Sequence, residues 1–357
     1  MIGSTTFAQF VIEEQRRAPE ATGDLSALLH DVCTAVKAIS AAVGRGEAGA
    51  RRDATGDATL RGADEVKLAE LASEIVLRAC RWGGHLAGIV SAELLDVYRI
   101  PEPHPRGKYL LAFHPLDGAG TLDVNAPAGT IFSILRRPGG AGDAARQDFL
   151  QPGSEQVCAG YALYGPCTML VVSLGRGVHG FTLDRELGDF VLTHPDLRVA
   201  DTGRSLAVNP ANERFWEPPV KRYVEECLAG GAGPRECDFD VRWVASLVTE
   251  VHRLLVRGGV YMCPREAKGP PRAGRLRLLH EAAPMAFLVE QAGGLASTGR
   301  ERLLELTPSE LHQRTPVILG SRPEVERLVR YHDEHARGLD RPFSSPLFAT
   351  RSLLVEP

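Results

Sequence analysis

The chain has 357 residues, 44% of them hydrophobic and 24% charged, with a formal net charge of −4. That length suits two domains of about 100–200 residues each, and the composition is that of an ordinary soluble protein, with nothing to attract nucleic acid. No apolar run reaches the roughly 20 residues of a membrane span, and the opening MIGSTTFAQFVIEEQRR carries acids where a secretory leader has an apolar centre, so a cytoplasmic protein without membrane contact is expected.

Apolar residues at helical spacing from Phe7 to Arg17 predict a first helix. Leu25, Leu28, Leu29, Val32, Val36 and Ile39 predict a second, with Thr22 and Asp24 as its caps. Residues 44–62, GRGEAGARRDATGDATLRG, have no periodicity and predict a mobile loop before a third helix over 64–80. The apolar run Tyr109–Phe113 then stops at His-Pro-Leu-Asp-Gly, which predicts a strand delivering polar side chains to a loop at its end. Gly129–Leu135 and Thr168–Leu174 predict buried strands, and Phe181–Leu183 and Phe190–Leu192 shorter ones. Helices follow at PPVKRYVEECLAG, VASLVTEVHRLLVRGG and PMAFLVEQAGG, the last stopped by Gly293 and Gly294. This alternation predicts α/β layers, with residues 336–357 as a weakly ordered tail. Cysteines 33, 80, 158, 167, 227, 237 and 263 form no CxxC pair and are expected to be reduced thiols rather than zinc ligands.

Motifs spread over residues 5–335 resemble the class I fructose-1,6-bisphosphatases in their bacterial form: FVIEEQRR, RGKYLLAFHPLDG, GTIFSIL, LQPG, AGYALYG, EVHRLLVRGG, RLRLLHEAAPMAFLVEQAGG and HQRTPVILGS. The resemblance implies a layered α-β-α-β-α sandwich related to the inositol monophosphatases. Its domains would be an N-terminal one over 1–198 and a substrate domain over 199–335, usually assembled as a homotetramer. It also implies hydrolysis of the 1-phosphate of fructose 1,6-bisphosphate, in gluconeogenesis or the Calvin cycle, with Mg²⁺ held by carboxylates.

Residue by residue, the resemblance implies a reduced metal site. The family's Asp-Pro-Leu-Asp-Gly-Ser-Ser is here His114, Pro115, Leu116, Asp117, Gly118, Ala119 and Gly120. Glu93, Asp117 and Glu281 match family acids and are the expected catalytic and metal carboxylates, joined by His114 as a fourth metal ligand. Ala63, Ala69, Ala92 and His114 stand where four other acids would be, with Asp64 and Glu74 nearby as substitutes. Imidazole offers one nitrogen and cannot bridge two ions, so Mg²⁺ is expected to bind weakly or not at all, and Mn²⁺ becomes the alternative. The bland reading of His114 is a hydrogen-bonded histidine without a metal.

Substrate phosphates would meet Gly118, Ala119 and Gly120 at one end and Asn209, Asn212, Arg242, Trp243, Cys263 and Arg275 at the other, where three family tyrosines are missing. An AMP site would use Thr22, Asp24, Ser26, Lys108, Tyr109 and Arg136 around a helix start. Three functions follow from these residues: a sugar-bisphosphate phosphatase with impaired catalysis, a non-catalytic paralogue that binds sugar phosphate or nucleotide, and an enzyme redirected to another phosphorylated sugar.

Overall fold

The structure is a computed structural model that describes residues 5–17, 22–45, 61–139, 143–267 and 274–340, with backbone alone over 61–67. The loop expected within 44–62 falls almost wholly outside the described residues, as do the side chains of Ala63 and Asp64 and the tail from 341 onward.

Three helices open the chain: α1 (Phe7–Arg16), α2 (Asp24–Gly44) and α3 (Arg61–Cys80). A reciprocal cap starts α1, with the Gln9 N–H donating to Thr6 Oγ1 at 3.2 Å and the Thr6 N–H donating to Gln9 Oε1 at 3.0 Å. Its Phe7, Phe10 and Val11 fall on one face and are buried, both phenyl rings meeting Phe181. The start of α2 corrects the expected cap. Gly23, at φ 85°, is the N-cap and supplies no side chain, while the Thr22 hydroxyl donates to Asp24. At 21 residues and mean hydropathy 1.3, α2 is long and apolar enough by composition to cross a membrane. Its Leu28, Leu29, Val32, Val36 and Ile39 are nevertheless buried in the same core as Phe113, Phe132 and Phe181.

The first sheet holds β1 (Leu86–Ser91), β2 (Tyr98–Arg99), β3 (Tyr109–Asp117), β4 (Ala128–Arg136), β5 (Gln156–Tyr164), β6 (Thr168–Ser173), β7 (His179–Asp184) and β8 (Asp189–His194). Their order is β2-β1-β3-β4-β5-β6-β7-β8, antiparallel except for the β1–β3 pair. A four-residue helix, α4 (Arg146–Phe149), lies between β4 and β5.

After β9 (Ser205–Ala207) come α5 (Pro218–Leu228), β10 (Asp240–Val241), α6 (Leu247–Arg257), β11 (Val260–Cys263), β12 (Leu276–Arg277), α7 (Ala283–Gln291), β13 (Leu295–Ser297), β14 (Arg314–Thr315), β15 (Val317–Gly320) and α8 (Arg322–Ala336). The second sheet runs β10-β9-β11-β15-β13, and β12 pairs with β14 apart from it.

Side-chain alternation along these strands sets the layers. Ile131, Ala159, Tyr161 and Val171 of the first sheet share a core with α6, α7 and with Tyr261, Val317 and Leu319 of the second. The intervening residues Val260, Met262 and Ile318 pack outward with Val220 and Tyr223 of α5 and Val325 and Leu328 of α8. The architecture is therefore α1–α3, sheet, α6–α7, sheet, α5–α8: the layered α/β sandwich expected from the sequence. The seven cysteines form no disulfide.

Candidate metal centre

β3 does not stop at Phe113 as the sequence suggests but continues to Asp117, so the polar pair stands on the strand itself. On a regular strand, residues three apart face opposite sides. Here His114 is opposite Ile131 and Asp117 opposite Gly129, three steps on β3 against two on β4. The extra residue is a bulge, and it turns both side chains to one side. The Thr130 hydroxyl holds the bulge by donating to the Pro115 carbonyl at 2.7 Å.

The third group arrives from the other half of the chain. Residues Leu278–Ala282 form a widened π turn before α7, and Glu281 sits in it, its Oε2 accepting from the Arg277 N–H at 2.7 Å. His114, Asp117 and Glu281 thereby place one ligand atom each within 4.8 Å of one another. His114 Nδ1 faces Glu281 Oε1 at 3.4 Å, without the alignment of a hydrogen bond. Asp117 Oδ2 accepts from Ser246 Oγ at 2.7 Å and from the Val248 N–H at 2.9 Å.

Burial dominates the electrostatics. It raises the Asp117 carboxyl above the usual carboxylate range, although His114 and the bonds from Val248 and Ser246 oppose it. Burial also pushes His114 down and Glu281 up, but their mutual attraction reverses both: His114 titrates higher than an ordinary histidine and Glu281 lower than an ordinary glutamate. Two buried carboxylates beside an imidazole whose Nδ1 has no hydrogen-bond partner are a mixed N/O donor set that fits a divalent cation.

The other expected residues are distributed unequally. Glu93 is exposed and lies outside the three-residue cluster. Glu74 is exposed and paired with Arg78 at 2.7 Å, and Ala69 packs against the first core. Gly118, at φ 77°, turns the chain into a tight helical turn over Ala119–Thr121 that contains Gly120. Farther out, Asn209 caps a turn over Pro210–Phe215 in which Asn212 is buried. Trp243 stacks on Tyr261 with centroids 6.2 Å apart, and Cys263, on the same strand as Tyr261, is buried with its thiol pushed up to about 11. Arg242 is exposed beside Asp240, and Arg275 is paired with Glu266 at 2.8 Å.

At the expected nucleotide site, Thr22, Asp24 and Lys108 do meet. Lys108 Nζ donates to Thr22 Oγ1 at 2.6 Å and pairs with Asp24 at 2.8 Å, which holds the Asp24 carboxyl below its usual range. Ser26 turns instead to Gln15, Tyr109 is buried, and Arg136 is exposed opposite Tyr109 in the β3–β4 register.

Sequence reading missed Ser246, the Val248 and Arg277 N–H groups and Gly129. A serine before an apolar helical run signals only a cap. A Cβ on Gly129 would lie 2.5 Å from the Ala162 carbonyl oxygen and 2.6 Å from Val248, so glycine is what lets α6 approach β4 beside Asp117.

The profile of the fructose-1-6-bisphosphatase N-terminal domain matches residues 5–195 and that of the C-terminal domain residues 199–333. Fructose-1,6-bisphosphatase class 1 3 of Methylibium petroleiphilum is 52% identical over 354 residues, 99% of this chain and 98% of that protein. Fructose-1,6-bisphosphatase class 1 of Hydrogenophilus thermoluteolus is 51% identical over 349 residues, 98% of this chain and 96% of that protein. The crystal structure of Leishmania major fructose-1,6-bisphosphatase in holo form superposes with a TM-score of 0.82 at 34% identity, covering 92% of this chain and 99% of that one. The T-state structure of the same enzyme gives a TM-score of 0.81.

Proposed function

Because the chain belongs to the class 1 fructose-1,6-bisphosphatase family, we propose that it releases phosphate from fructose 1,6-bisphosphate at the His114, Asp117 and Glu281 cluster, using one divalent cation. The observation that carries this reading is the convergence of three ligand atoms within 4.8 Å, drawn from a strand bulge and a π turn far apart in sequence.

A divalent cation held there supplies charge neutralisation for the phosphate and the leaving oxygen. The chain's own groups do the rest. Asp117, Glu281 and His114 would hold the cation, and backbone N–H groups of residues 118–120 would meet the reacting phosphate. Arg275, on leaving Glu266, binds the distal phosphate in its bidentate fork, and Asn212 supports it. Exposed Glu93 is free to turn toward solvent entering the site. With His114 and Ala92 in place of two family acids, the site would offer fewer anionic oxygens to divalent cations, and reduced turnover is the expected consequence. The enzyme acts in the cytoplasm as a homotetramer, with its two domains divided near residue 198.

Phosphate release from fructose 1,6-bisphosphate tests this, with Mg²⁺ and Mn²⁺ supplied in turn to protein free of host phosphatase. The expected result is turnover that is higher with Mn²⁺ and abolished in Asp117→Asn. Cation binding without release under either ion would favour the non-catalytic, sugar-phosphate-binding reading instead.

A further inference from the structure

Asp117 stands on the first sheet, yet both donors to its Oδ2 belong to the start of α6, about 130 residues later in the chain. Ser246 is the N-cap of that helix. Its Oγ accepts from the Thr249 N–H at 3.2 Å and from the Thr249 hydroxyl at 3.1 Å. A hydroxyl has two lone pairs and one proton. With both lone pairs engaged, the proton has one direction left, toward Asp117 Oδ2 at 2.7 Å.

That bond is charge-assisted and is polarised by the two donors behind it. The Val248 N–H, one of the donors that a helix start leaves unpaired, gives the same oxygen a second bond at 2.9 Å. Two donors on one oxygen fix the carboxylate plane and leave Oδ1 as the oxygen available to a ligand. The approach is possible because Gly118 and Gly129 lack side chains: a Cβ on Gly118 would come within 3.1 Å of Ser246 Cβ.

We infer that Ser246 is a positioning residue for Asp117: its hydroxyl, aimed by Thr249 and assisted by the Val248 N–H, holds Asp117 as a one-oxygen ligand, so that cation affinity depends on a group that never touches the cation. The inference rests on the reading that His114, Asp117 and Glu281 hold a divalent cation. It adds that docking of α6 on the first sheet and cation binding support each other.

Mn²⁺ binding to the full chain by calorimetry, with the melting temperature recorded alongside, tests it in wild type, Ser246→Gly, Ser246→Thr and Asp117→Asn. Glycine is tolerated at a helix N-cap, so Ser246→Gly removes the hydroxyl with little cost to α6. We expect Mn²⁺ affinity to fall about ten- to hundredfold in Ser246→Gly, to return in Ser246→Thr and to vanish in Asp117→Asn. Turnover in Ser246→Gly should recover when Mn²⁺ is raised, which a purely structural role of the serine would not produce. Equal affinity in wild type and Ser246→Gly overturns the inference. If Ser246→Gly does not fold, Thr249→Val, which frees the serine proton to swing away, takes its place, and unchanged affinity there overturns it equally. A wild type that binds no Mn²⁺ refutes the cation reading of the cluster, and the inference with it.

Discussion

Where His114 stands, an imidazole brings a single lone pair to a site with two buried carboxylates; an aspartate there would bring two oxygens and a negative charge. Ser91 pairs with Phe113 across the parallel β1–β3 ladder, and the Ala92 N–H donates to the Phe113 carbonyl, so Ala92 lies level with His114. Replacing both, His114→Asp with Ala92→Glu, is expected to raise Mg²⁺ affinity and phosphate release together. Without cation the same change breaks the His114–Glu281 pair and crowds like charges, costing on the order of 3 kcal/mol. Mg²⁺ titration calorimetry and urea midpoints check both halves, and unchanged Mg²⁺ affinity would count against the missing-acid argument. A second histidine carries a pH prediction. His252 on α6 bonds Tyr161 through Nδ1 at 2.8 Å, and burial, with the nearby His194, pushes it down to about 4. In the unfolded chain it titrates near 6.5, so between those values the unfolded state binds more protons and stability falls as pH falls. The loss approaches roughly 3 kcal/mol once pH drops through the folded value. Urea unfolding from pH 7.5 to 4.5 should show a slope that is smaller in His252→Asn.

Several elements depend on local geometry that propensity does not announce. β5, QVCAGYALY, mixes glycine and alanines where a strand favours branched and aromatic residues, yet it lies near the middle of the first sheet. A Cβ at Gly160 would lie 2.5 Å from the Phe132 ring and 2.7 Å from the Val171 carbonyl oxygen, so the small residue is what the packing requires. At the start of α2 the geometry bears on the nucleotide. Lys108 is already neutralised by Asp24, so a phosphate must compete with that carboxylate for the lysine. AMP is expected to raise the melting temperature, by about 2.7 kcal/mol of stability at one hundred times Kd. Lys108→Met should remove the shift and Asp24→Asn enlarge it. Absence of any shift at millimolar AMP in all three proteins would leave only an ion pair at a helix start.

For the whole molecule, the apolar faces of the opening helices and of VASLVTEVHRLLVRGG together predict more apolar surface than one monomer would expose. In the structure the α6 part of that surface is covered within one chain: Leu247, Val248, Val251, Leu254 and Leu255 are buried between the two sheets. Among the described residues, the large apolar side chains that stay exposed are scattered, with Val256 on α6, Ile12 on α1, Leu71 on α3 and Trp82 just after it. The expectation of self-association therefore rests on the family resemblance and on exposed side chains such as these, not on the buried stripe of α6. Light scattering at micromolar concentration is expected to give about four times the 38.6 kDa of one chain, and a mass near a single chain would reject the homotetramer.

The sequence by itself determined the layers. Periodicity placed α1, α2, α3, α5, α6 and α7 and the cores of β3, β4, β6, β7 and β8, because an amphipathic or fully apolar pattern is a local property of the chain. It also supplied Asp117, Glu281 and His114 as candidates, since the resemblance rests on contiguous motifs. Other features were decided only by tertiary structure. β1, β5 and α8 went unread because their residues are chosen for neighbours such as Phe132 and α5 rather than for propensity. The bulge at Pro115, the π turn around Glu281 and the hydroxyl of Ser246 went unread for the same reason. Each is set by a register shift or a hydrogen bond between segments far apart in the chain, and a one-residue change in that register is what turns His114 and Asp117 toward the same cation.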